Sequence, residues 1–397
     1  MTRPFRRRIL YIPGFDPIPP RRYRELYRRE AARQAAISGY RIAMVPHRVS
    51  GGFGWRAEGA FPEGQGEARF EVLVWDDLVQ ASMRRGIAGT YRQLVATAWA
   101  YIGSGALFRL MRLRRGPVLA ALYPIAVLLA QAIAALLVAV ATGWLSWRLA
   151  GPWLALPLAA LAGWAVLAGF RRIDNRIFAY YLMHDYAFTA QHGGAYPDAL
   201  ETRLAQFADR LAAALADDVD EVLVTGHSSG AYLAVSLLAD LIRAGRLPAN
   251  GPALALLSLG HVVPMASFLP RADRLRADLA YLSERPDIFW LDVTAPGDAC
   301  CFGLCDPVAV TGVAGPYQRW PLVVSAAFTQ TLSPETRRSL KGRWFRLHFQ
   351  YLCAFDRPGD YDYFAITTGP VPLSRRFAGR AHSPGRIARP VGPGTAP

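Results

Sequence analysis

The stretch from Asp220 to Gly230 constrains this chain more than any other. Val222, Leu223 and Val224 form a short apolar run, suited to a strand buried on both faces. Gly226-His227-Ser228-Ser229-Gly230 follows, and Ala231 onward reads as a helix closed by Gly245. A strand that turns through G-x-S-x-G into a helix needs glycines where backbones approach closely. The turn would lift the Ser228 hydroxyl above the sheet, near the positive end of the helix. The Ser229 N–H would then be available to a developing oxyanion.

The flanking pattern alternates strands and helices. Ile9 to Ile12 reads as a first buried strand, followed by the loop Pro13-Gly14-Phe15-Asp16-Pro17 and a helix from Arg21 to Ser38. Strands are expected at Tyr40 to Val45 and Phe70 to Trp75, with a glycine-rich loop or hairpin from Gly51 to Gly66 between them. Ala199 to Leu215 is an amphipathic helix feeding the Val222 strand. Beyond the turn, strands at Ala253 to Leu259, Ile288 to Val293 and Leu322 to Phe328 enclose a helix at Ala272 to Ser283. This spacing predicts an α/β fold with a mostly parallel sheet flanked by helices.

GHSSG in this setting resembles the nucleophile elbow of lipases and esterases in the α/β-hydrolase superfamily. The resemblance implies a serine esterase whose triad runs in the chain order Ser, acid, His. Ser228 is then the nucleophile, and His47, His184, His192 and His227 come too early to be its base. His261 precedes every plausible acid, and His382 lies in the tail. His348, in Trp344-Phe-Arg-Leu-His-Phe-Gln-Tyr351, is similar to the lipase habit of a histidine shortly before a tyrosine. The superfamily keeps its acid a few residues past a strand end, which ranks Asp298 first, Asp306 second and Asp292 last. A second oxyanion donor is expected at the Phe15 N–H, although the chain lacks an HGGG motif and Asp16 could simply cap the next helix.

Two runs carry no charged residue: Gly116 to Trp147 and Leu149 to Phe170. Each is long enough to cross about 30 Å of hydrocarbon as a helix. Trp144, Trp147 and Trp153 crowd the turn between them, as at a membrane interface. Arg109, Arg112, Arg114 and Arg115 precede the pair, and Arg171, Arg172 and Arg176 follow it. The positive-inside rule then puts both termini and the catalytic part in the cytoplasm. The expected organisation is residues 1–113 and 173–374 as two parts of one domain, 114–172 as an inserted transmembrane helical hairpin, and 375–397 as a disordered basic tail.

Net charge is +15, and Lys341 is the single lysine. No nucleic-acid motif accompanies the arginines, so the bilayer is the expected partner and an acyl ester, lipid or otherwise long-chain, the expected substrate. Cys300, Cys301, Cys305 and Cys353 follow no zinc spacing, and no metal or cofactor is expected. Two rival readings stay open. One is a hydrolase-fold membrane scaffold without activity, and the other an acyltransferase that passes the acyl group to an acceptor other than water.

Overall fold

The computed structural model describes residues 3–45 and 52–393. His47 lies outside them. Eight strands form one sheet: β1 (Phe5–Ile12), β2 (Arg41–Val45), β3 (Phe53–Phe61), β4 (Gly64–Val72), β5 (Glu221–His227), β6 (Ala253–Leu259), β7 (Ile288–Thr294) and β8 (Leu322–Ser325). Their order across the sheet is β2-β3-β4-β1-β5-β6-β7-β8. β4-β1-β5-β6-β7-β8 are parallel throughout, and β3 alone runs against its neighbours. The strand expected at Phe70 to Trp75 starts earlier, because it pairs along its whole length with β3, and the glycine-rich stretch supplies that hairpin.

β5 is buried at every position, and β1 has its last four residues buried. Alternate strand residues feed two apolar clusters, one on each face. Ile9, Tyr11 and Leu223 join the first, and Leu10, Ile12, Val222 and Val224 the second. A strand with apolar residues on both sides can only sit in the middle of a covered sheet. From β1 the chain departs toward β2, β3 and β4, whereas from β5 it departs toward β6, β7 and β8. The two connections diverge at the carboxyl ends of β1 and β5, where open α/β sheets leave a crevice.

Two stretches whose period and composition read as single helices are broken in the structure. Ile87 to Leu113 becomes Ile87–Gly103 and Ala106–Met111, separated at Gly105 with φ 72°. Arg171 to Ala190 is interrupted at Phe178, which takes φ 59° before the helix Ala179–Ala190.

Arg115–Ala150 and Pro152–Arg172 are long and apolar enough to cross a membrane. They form an antiparallel pair joined at Gly151, with small residues at the contact: Gly163 meets Ala135 and Ala139, and Gly143 meets Ala159. Their most apolar stretches are only 17% and 6% buried, unlike the core helices of a soluble domain. The base of the long helix is held by protein. Leu128 is fully buried, its carbonyl accepts from Tyr91 Oη at 2.9 Å, and Tyr123 Oη donates to the Ile177 carbonyl at 2.8 Å. Beyond Leu128 the remainder rises about 33 Å, close to the hydrocarbon thickness and to the length of its partner helix.

The arginines at the N-terminus are committed to protein rather than to lipid. Arg7 is buried beside Glu221, its strand neighbour in register, and bonds the Gly369 and Val371 carbonyls. Arg6 pairs with Asp218 and Arg8 with Glu71. The tail also departs from expectation, because its backbone finds partners as far as Gly392. Ser383 N donates to Val323 O at 2.9 Å, Ile387 N to Leu304 O at 2.8 Å, and Gly392 N to Val310 O at 2.7 Å. Its glycine and proline content signals chain without secondary structure of its own, not chain without contacts.

Candidate active site

The turn after β5 places Ser228 at φ 56°, ψ −120°. A non-glycine residue in this region carries about 1–3 kcal/mol of strain, sustained only when the surroundings hold it. They do so here. The Ser228 N–H donates to Leu259 O at 2.9 Å, and Ala231 N donates to Ser228 O at 3.1 Å. The two glycines of the motif are required by close approach. A Cβ on Gly230 would lie 2.1 Å from Ile12 O, and one on Gly226 would lie 2.5 Å from Gly230 O.

The loop after β1 closes on the serine from the other side of the crevice. A Cβ on Gly14 would sit 2.9 Å from Ser228 Cβ and 3.4 Å from its Oγ. The Phe15 and Ser229 N–H groups have no hydrogen-bond partner among the described residues, and both residues line the same cavity. Ser229 opens the helix Ser229–Arg243, so its N–H has no acceptor within the helix. Asp16 does not cap the next helix. Its carboxylate accepts from Tyr23 Oη, Arg22 Nη1 and the Ile18 N–H, which ties down the loop carrying Phe15.

His348 ends the short helix Trp344–His348. Its Nδ1 lies 2.7 Å from Asp298 Oδ2 and donates to that carboxylate, which leaves Nε2 as the basic atom. Nε2 is buried and has no partner among the described residues, so no hydrogen bond joins it to Ser228. Apo sites often leave this contact open until substrate arrives. Asp298 lies four residues past β7. Burial pushes its carboxyl up, but His348 and the Cys300 N–H at 2.9 Å outweigh that and hold it below the usual range.

The structure brings Ser228, His348, Asp298, Ser229 and Phe15 to one end of the sheet. Asp306 is placed elsewhere. It caps the helix Pro307–Thr311 through the Val308 and Ala309 N–H groups, and bonds Gln318 and Arg386. Asp292 lies within β7, bonded to Ser258 Oγ at 2.6 Å and facing His261 at 3.6 Å, all fully buried. His382 is held after all, its Nδ1 accepting from Val323 N at 3.1 Å.

Several contributors have roles that the sequence did not assign. Tyr351, buried, donates to Asp298 Oδ2 at 3.0 Å and accepts from Ala295 N at 3.0 Å, so it fixes the acid to the end of β7. His227 bonds the His348 carbonyl at 3.0 Å through Nε2; burial and the neighbouring His348 push it down to about 3, so it acts as a neutral prop. Asp185 also lines the cavity, with burial pushing its carboxyl up to about 7 against the pull of His348.

Asp298, Cys300 and His348 have donor atoms within 4.8 Å of one another. The carboxylate and Nδ1 are already bonded to each other, and burial pushes the Cys300 thiol up, followed by the effect of Asp298. The set favours a hydrogen-bonded couple over a metal centre. All four cysteines are free thiols. Cys301 touches Tyr351 Oη at 3.3 Å, which gives one member of the cysteine-bearing loop a place in the support of the acid.

The cavity over Ser228 measures about 1260 Å³ and is lined largely by apolar and aromatic side chains, among them Tyr181, Leu182, Val262, Met265 and Phe345. A hydroxyl beside a carboxylate-oriented imidazole and two free N–H groups can attack an acyl carbonyl and hold the resulting oxyanion. No family model, curated protein or solved structure matches the chain.

Proposed function

We propose that this protein is a membrane-anchored serine hydrolase of the α/β-hydrolase type, cleaving a long-chain acyl ester. Ser228 attacks the carbonyl, His348 takes the proton on Nε2 and returns it to the leaving alcohol, and Asp298 holds the imidazolium. The Phe15 and Ser229 N–H groups receive the oxyanion, and water then releases the acyl-enzyme through the same base. The observation that carries the reading is the left-handed backbone of Ser228 at the β5-to-helix turn. This is the first central position of a tight II′ turn, where glycine would be free of strain, and a serine kept there beside unbonded N–H donors supports the nucleophile reading.

The two apolar helices anchor the enzyme as a hairpin, with the arginine-flanked ends and the catalytic part on the cytoplasmic side. The long-chain preference rests on the size and lining of the cavity, which also borders the base of that hairpin through Pro117 and Tyr123. The test is labelling of the detergent-solubilised protein with a fluorophosphonate. The wild type labels, and Ser228→Ala loses both labelling and ester hydrolysis, by about 10⁴-fold or more in rate. A wild type that does not label is a scaffold rather than an enzyme.

A further inference from the structure

The charged groups around the cavity are unevenly matched. Its carboxylates are almost all engaged. Asp16 is bonded by Tyr23 and Arg22, Glu25 by Arg24 and Arg28, and Glu30 by Arg29 and the Ala354 N–H. Asp174 accepts from the Tyr180 and Tyr181 N–H groups. Three arginines that line the same cavity, Arg176, Arg343 and Arg346, make no side-chain hydrogen bond or ion pair among the described residues.

All three are exposed, on two segments that line this cavity. Arg176 lies in the short helix Asp174–Ile177, directly after the second apolar helix and two residues before Phe178. Arg343 and Arg346 bracket Phe345 in the segment that ends at His348. The Phe178 and Phe345 rings pack at 5.4 Å, and Tyr123, near the base of the long apolar helix, packs on Trp344 at 6.2 Å. Aromatic contacts thus pin both arginine-bearing segments together at the mouth, on the side of the apolar hairpin. Guanidinium forks without acceptors, over an apolar cavity, fit a ligand with a phosphate at one end and an acyl chain at the other.

We propose that the substrate is a phosphate-bearing acyl ester taken from the bilayer, a phospholipid, with its phosphate held by Arg176, Arg343 and Arg346 and its acyl carbonyl at Ser228. The proposal rests on the hydrolase reading for its chemistry, but the anion site is testable without turnover.

Two esters of one acyl chain, a 1-acylglycerol 3-phosphate and the neutral 1-acylglycerol, are compared below their micelle concentrations. Wild type prefers the phosphate ester at least tenfold in kcat/KM. The triple variant Arg176→Gln/Arg343→Gln/Arg346→Gln reduces that ratio at least tenfold, while Arg338→Gln, whose side chain is exposed away from the cavity lining, leaves the ratio in place. Binding of a non-hydrolysable ether phosphate to Ser228→Ala weakens at least tenfold when the three arginines are also replaced. A wild-type ratio near one, or a ratio unmoved in the triple variant, overturns the proposal. So does loss of anionic-vesicle binding with an unchanged ratio, which would make the arginines a membrane anchor. Turnover of the soluble phosphate ester but not of a diacyl phospholipid in vesicles overturns the bilayer as source. If no ester turns over and no fluorophosphonate labels, the hydrolase reading fails, and tight, arginine-dependent ether-phosphate binding would still uphold the anion site.

Discussion

At the scale of single residues, the two acids of the Asp298 to Asp306 loop separate by what each touches. Asp298 faces His348 Nδ1 and Tyr351 Oη, whereas Asp306 faces backbone N–H groups, Gln318 and Arg386. Asp298→Asn replaces an acceptor by an amide at Nδ1 and disturbs the imidazole tautomer. It is expected to lower kcat by about 10⁴-fold with the fold intact. Asp306→Asn keeps much of the cap but strands Arg386, so it should cost about 1–3 kcal/mol of stability while leaving kcat within about tenfold. Kinetics and a urea midpoint on both variants check the pair, and the reverse pattern would move the acid to Asp306. That Ser228, His348 and Asp298 come together at one end of the sheet was expected from the resemblance of the GHSSG turn to a hydrolase elbow and from the chain order that resemblance implies. Tyr351 as the second partner of Asp298, and His227 as a support for the His348 backbone, were not. Their partners lie 53 and 121 positions away, and only the packed sheet sets those distances.

At the scale of elements, the elbow depends on β1 and β5 lying side by side. Gly230 has no room for a side chain because the carbonyl of Ile12, at the end of β1, lies against it. Gly230→Ala should therefore destabilise by about 3 kcal/mol or more, since the obstructing atom is backbone that cannot rotate away. Gly86→Ala, where nothing lies within 4 Å, should change stability by under about 1 kcal/mol. Urea midpoints of the detergent-solubilised variants decide this, and equal costs would show that the turn can open. Strand and helix positions were mostly readable from period and composition. The breaks at Gly105 and Phe178 were not, because each turns the chain so that both sides reach one apolar cluster, Tyr101, Ala106 and Leu110 across the first and Ile177, Ala179 and Tyr180 across the second.

At the scale of the whole molecule, one sheet carries a site at its carboxyl end and an apolar helical pair beside it. The protein should resist carbonate extraction from membranes. With the flanking arginines retained in the cytoplasm, Arg148→Cys should react with an impermeant thiol reagent added outside intact cells, while Cys353 should not. Extraction by carbonate would refute the anchor, and outside labelling of Cys353 alone would invert it. Cys353 is half-buried, so permeabilised cells provide the control for its reactivity.

The sequence by itself determined the periodicities, the two uncharged runs, and the strand–GHSSG–helix turn, because each depends on neighbours within a few residues. Only the tertiary structure decided that β3 runs antiparallel, that Arg7 is buried against Glu221, and that the basic tail packs along β8 and the Asp306 helix. It also decided which arginines remain unmatched at the mouth. The physical reason is common to all of these. A charge or a backbone group is satisfied by whatever folding brings within about 3 Å, and that partner is set by topology rather than by the residues beside it in the chain.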